Sequence, residues 1–265
     1  MYPVIAMPAG DVWMWALRAF TIIAGVLLVF RLYYLGLYRV YRGFFAYLIF
    51  QTGRSLILLP LDPRSGLYGS LYANTIPVLW VFYILVVIEL YSLVLQNYRG
   101  IYTLGRWTLY VALAISLLIS IVTLIPTWKN APEPYRILYI SIVVDRGVSI
   151  GLVLFLFFIM VFLSRYPVPL SRNLIVHAIV YTVFFLSGSM AMLIRIVLGH
   201  HSTRALNIVL QLIGAACYVG WLFGLSREGE KKIVVLRHDW KPADERRLID
   251  QLDSLNATLL RARGK

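Results

Sequence analysis

Residues 136–164 read RILYISIVVDRGVSIGLVLFLFFIMVFLS. The run is long and apolar enough to cross a bilayer as a helix, which takes about 20 residues. Near its middle stand Asp145 and Arg146. A charge at that depth costs roughly 2.5–3.5 kcal/mol on insertion scales, and such residues normally face a bundle interior and are paired. One helix of this kind implies others arranged around its charge.

The rest of the chain supplies them. Apolar runs at 12–31, 43–61, 75–96, 107–128, 136–164, 172–199 and 203–225 predict an all-α, polytopic bundle of seven transmembrane helices spanning residues 1–225. The second run is the weakest, because Gln51 and Arg54 interrupt it. Of the 265 residues, 60% are hydrophobic and 14% charged. A soluble domain carries about 25% charged residues, so this excess of apolar side chains belongs in a membrane. The net charge of +13 then reads as basic cytoplasmic loops, and nucleic acid is not an expected partner. No basic segment precedes the first apolar run, so a cleaved signal peptide is not expected.

Loop charges set the orientation. Arg31, Arg39 and Arg42 follow the first run, Arg99 and Arg106 the third, and Arg165 and Arg172 the fifth. The opposite loops are poorer in net positive charge, which predicts an N-terminus outside and a C-terminus inside. The tyrosines at 33, 34 and 41 then mark the inner interface, and Tyr68 and Tyr72 the outer one.

Residues 226–265 change character, with both charge signs dense and apolar residues sparse. Pro242 begins a predicted helix, with Asp244 and Glu245 in its first turn and Arg261 and Arg263 at its end. Leu248, Leu252, Leu255 and Leu259 recur at 4-3-4 spacing. That seam is under three heptads long, so a short coiled coil and an amphipathic helix folded onto the bundle stay equally open. Either way these leucines are the candidate partner-binding residues, and a second copy of this chain is one candidate partner.

Helical phase collects polar residues on inward faces. The candidates for a ligand site or ion pairing are Gln51 and Arg54 in the second run, Glu89 in the third, Asp145 and Arg146 in the fifth, His177 in the sixth and Gln211 in the seventh. Arg54 lies roughly 16 Å from the inner end of its helix and Asp145 about 14 Å from the outer end of its own. In a core of ~30 Å these levels coincide, so Arg54–Asp145 is the expected ion pair. It reads equally as a functional site and as an assembly device, since Gly147-xxx-Gly151 and Ala216-xxx-Gly220 also favour close helix packing.

Several chemistries lack their residues. No lysine lies in a predicted span, so a retinal Schiff base has no attachment point. No HExxH or zinc-type Cys/His spacing occurs, and Cys217 is the only cysteine. Ser187 and Ser189 share a helix with His177, but at up to about 18 Å no dyad forms. His177 is the only histidine in a span, too few for a facing haem pair; His200 and His201 lie in an outer loop. The Asn256-Ala257-Thr258 sequon falls in the cytoplasmic tail, where it is not expected to be glycosylated. No cofactor or metal is expected.

At the level of architecture, seven spans with the N-terminus outside resemble the membrane regions of bacterial seven-helix sensor proteins. The resemblance covers about residues 12–225 and rests on topology. It implies a bacterial-type inner membrane and a signalling module after the bundle, where this chain has its 40-residue tail. The expected function is that of a non-enzymatic, receptor-like sensor or scaffold coupling a polar bundle centre to a tail helix that engages a partner. A transporter or channel for a small polar or ionic solute is the alternative, and a structural subunit of a larger membrane assembly the third reading.

Overall fold

Helices carry the chain from the first described residue to the last. The computed structural model describes residues 12–62, 65–95, 147–157, 169–198, 203–231, 233–235 and 242–263, with short runs between 107 and 118 and single positions at 144 and 161. The helices are α1 (Val12–Tyr34), α2 (Arg42–Leu58), α3 (Gly66–Val94), α4 (Gly147–Phe157), α5 (Arg172–Leu198), α6 (Thr203–Gly224), α7 (Arg227–Lys231) and α8 (Pro242–Arg263). A 3-10 turn, Leu37–Arg39, links α1 to α2. Two three-residue strands, β1 (Pro169–Ser171) and β2 (Ile233–Val235), pair antiparallel with Leu170 opposite Val234.

Segments of α1, α3, α5 and α6 are long and apolar enough to cross a membrane. The expected seven spans are not reached among the described residues. The second expected span is present as α2, but its 17 residues reach only about 25 Å at ~1.5 Å per residue, short of a ~30 Å hydrocarbon core. The fifth is represented by the 11 residues of α4, and most of the fourth lies outside the described residues.

One boundary differs from expectation. The third run was expected to begin at residue 75, yet α3 begins at Gly66. Ser65 caps it, its Oγ accepting from the Tyr68 amide at 3.1 Å, which satisfies one of the first-turn donors that no helical carbonyl can reach. The apolar count missed this turn because Gly66–Asn74 is rich in small and polar residues.

The long helices close a ring. α1 packs between α2 and α6, α2 packs on α3, α3 touches α5, and α5 packs on α6. The ring's interior is aromatic: Phe44 and Tyr47 of α2, Tyr181 and Phe185 of α5, and Trp221 of α6 are all almost fully buried. Its exterior is apolar as well. On α1, Phe20, Ile23, Leu27 and Phe30 follow 3-4-3 spacing and stay exposed, while Ala24, Leu28 and Leu32 are buried. On α5 the exposed line is Ile179, Val183, Leu186 and Met190. Such stripes are unfavourable against water and compatible with lipid.

Candidate functional site

The residues with the densest tertiary bonding lie where the tail leaves the bundle. α2 begins there with Tyr41 at its N-cap, at φ −105° and ψ 64°, and the Tyr41 side chain makes no capping bond. The free amides of the first turn need another acceptor. Glu89 of α3 provides it: Oε1 accepts from the Gly43 amide at 2.8 Å and Oε2 from Phe44 at 3.1 Å. A carboxylate there also meets the positive end of the helix dipole. A Cβ at residue 43 would come within 3.2 Å of Glu89 Oε2, so glycine suits the approach.

Released from capping, Tyr41 turns inward. Its hydroxyl donates to Glu230 Oε2 at 2.8 Å. Burial first, then the neighbouring Glu230 carboxylate, push its phenol far above the ordinary range, so it remains a donor. Glu230 Oε2 also accepts from Asn173 Nδ2 at 3.0 Å. Asn173, fully buried, clasps Ser226 from both sides: Nδ2 donates to the Ser226 carbonyl at 2.8 Å and Oδ1 accepts from its amide at 3.2 Å. Ser226 Oγ accepts from the Gly229 amide at 2.9 Å, starting α7. A Cβ at Gly229 would collide with Asn173 Oδ1. Arg31 of α1 adds a bond from Nη2 to the Leu225 carbonyl at 3.2 Å. Three separate parts of the chain, at Arg31, Tyr41 and Asn173, thus hold the root of the tail, and the β1–β2 ladder reinforces it.

Directly inward lies His177. Its ring stands 4.5 Å from Tyr41, 4.6 Å from Phe44 edge-on, 6.1 Å from Tyr181 and 6.4 Å from Trp221, centroid to centroid. The imidazole is fully buried, and among the described residues neither nitrogen has a hydrogen-bond partner; the same holds for the Tyr181 hydroxyl and Trp221 Nε1. Unpaired polar atoms in an apolar cage are costly, which marks this as the least satisfied part of the core.

Among the described residues, the expected site residues do not gather at one place. Glu89 and His177 lie at the tail end. Arg54 lies twelve residues into α2, about 18 Å from its start. There Nε donates to Thr75 Oγ1 of α3 at 2.7 Å, and the guanidinium covers the Tyr72 ring at 4.7 Å. Among the described residues Arg54 makes no ion pair, and Nη2 is buried without a partner. Asp145 and Arg146, and with them the expected Arg54–Asp145 pair, lie outside the described residues. Gln51 and Gln211 have buried carboxamide oxygens without partners among the described residues. Of the tail seam, Leu252 is buried with the bundle core at 1% exposure; the side chains of Leu248, Leu255 and Leu259 lie outside the description. Sequence reasoning did not single out Asn173 or Glu230. Their only signal is an uncharged amide in the first turn of a span and one of two acids in a post-span segment of mixed charge.

A cavity of about 220 Å³ opens between α3, α4, α5 and α6, lined by Tyr83, Ser149, Phe185, Gly188, Leu210 and Gly214 among others. Among the described residues, no three His, Cys, Asp or Glu side chains converge as metal ligands. No known family, curated protein or solved structure matches the chain.

Proposed function

We propose that the chain is a non-enzymatic, receptor-like sensor or scaffold of a bacterial-type inner membrane, in which the bundle core sets the position of a tail helix that engages a partner. In this reading residues 1–225 form seven spans with the N-terminus outside, α2 and α4 belong to two of them, and 226–265 form the cytoplasmic tail. One observation carries it: Glu230, six residues beyond α6, receives hydrogen bonds from Tyr41 and Asn173, and Tyr41 itself packs on the underpaired His177. A change in the cage therefore has a short physical route to the tail. Limited proteolysis of the full chain in membranes tests this. Tyr41→Phe combined with Asn173→Ala should speed cleavage within 236–265 several-fold while the bundle stays intact. Unchanged cleavage would detach the tail from the core and sink the reading.

The 220 Å³ cavity favours a second reading, as a transporter or channel. Its described lining residues are uncharged, which suits a small, weakly polar solute better than an ion. Flux into proteoliposomes that Gly188→Leu abolishes would support it over the first. The third reading, a subunit of a larger assembly, predicts stable membrane partners that co-purify in mild detergent even when the Tyr41 and Asn173 bonds are removed.

A further inference from the structure

A second feature occupies the same rim but lies outside the Tyr41–Glu230–Asn173 network. After Tyr34 the chain turns through Gly36, whose φ of 72° is the left-handed conformation that glycine adopts without strain. The turn leaves an open groove of about 520 Å³ lined by Tyr33, Tyr34, Gly36, Tyr38, Arg39 and Arg227, with Leu35. Tyr33 and Tyr38 stack at 5.4 Å. Arg39 lies over the Tyr38 ring at 5.6 Å and donates from Nε to its hydroxyl at 3.1 Å, which orients the guanidinium. Arg39 and Arg227 are both exposed, and among the described residues no acid lines the groove; the nearest by sequence, Glu228, is exposed.

The groove's position names its occupant. The apolar segment of α1 ends at Tyr34, which puts the groove at the edge of the hydrocarbon, where aromatic side chains gather and headgroup phosphates lie. The exposed stripe Ile23, Leu27, Phe30 and Tyr34 leads along α1 into it at 4-3-4 spacing. A ligand with an apolar chain and a phosphate would lie along the stripe and end between two guanidiniums. We infer that this groove binds an anionic phospholipid of the tail-side leaflet, its phosphate held by Arg39 and Arg227 and an acyl chain lying along Ile23, Leu27 and Phe30. The site stands independently of the sensor reading.

The test uses the full chain in nanodiscs of about equal parts phosphatidylcholine and phosphatidylglycerol. After transfer to detergent, native mass spectrometry counts the lipid each protein retains. Wild type should retain phosphatidylglycerol in clear preference. A basic residue near a charged surface changes affinity about fivefold, so Arg39→Gln with Arg227→Gln should lower that preference by about 25-fold. Arg261→Gln, an exposed arginine of α8, should leave it unchanged. Because both groove arginines are exposed, the double variant should keep the wild-type thermal midpoint. Equal retention of the two lipids, an undiminished preference in the double variant, or equal loss in Arg261→Gln would overturn the proposal. Displacement of the lipid by glycerol phosphate at matched concentration would reassign the groove to a soluble anion.

Discussion

Glu89 shows how far a residue's place and its role can diverge. Helical phase puts Glu89, His177, Tyr181, Tyr218 and Trp221 on inward faces, and the last four are buried. The role of Glu89 was not legible, because the amides it caps belong to residues 43 and 44, some 45 positions away. No local rule reads a cap supplied from another helix. Glu89→Ala should leave two amides unpaired and cost about 2–4 kcal/mol, while Glu89→Gln, which keeps one oxygen acceptor, should cost roughly half as much. Thermal unfolding in detergent, followed by helical ellipticity, checks the order; equal losses would mean the charge matters and the bond count does not. Tyr41 carries a pH dependence. Its folded-state pKa is raised above the ordinary 10, so the folded state holds the proton more tightly than the unfolded chain. Its contribution is therefore complete below about pH 10 and falls as pH rises beyond that. The unfolding midpoint should drop as pH rises above about 10, and the drop should be smaller in Tyr41→Phe. An identical alkaline slope in the two proteins would place the titration elsewhere.

At the scale of elements, the amphipathic helix after Pro242 was plain from its charges and leucine spacing, and α8 spans Pro242–Arg263. Where its seam faces was not plain, since self-association and folding back use the same leucines. The burial of Leu252 with the bundle core separates the two for that residue. Leu252→Ala should cost about 2–5 kcal/mol of local packing, releasing α8 to proteases without changing the size of the particle. A halved particle mass on light scattering, with no change in protection, would show instead that the leucine joins two copies. The early start of α3 illustrates the opposite limit: hydropathy finds where a helix meets lipid, and capping by Ser65 decides where it starts.

At the scale of the molecule, the membrane character and the helical class were legible from composition alone, because apolar residues exceed what a soluble interior can hold. The ring α1–α2–α3–α5–α6 was not, since neighbours in the ring are set by side-chain fit. Arg54 and Glu89 themselves act at separate places, well along α2 and at its first turn. Both residues join the same two helices, however. Arg54 meets Thr75 and Tyr72, and Glu89 meets the first turn of α2. This has a consequence for synthesis. As α2 emerges from the ribosome it is 17 residues long, carries Arg54 and has no cap of its own, so it is a poor substrate for insertion by itself. Everything that compensates those defects arrives with α3, between Tyr72 and Glu89. If α2 is a span as proposed, the two should therefore enter the bilayer as a hairpin. A nascent chain stopped at Leu61 should leave α2 largely uninserted, one extended past Leu95 should insert it, and Glu89→Ala with Thr75→Val should delay that step, as read by a glycosylation acceptor placed in the α2–α3 turn.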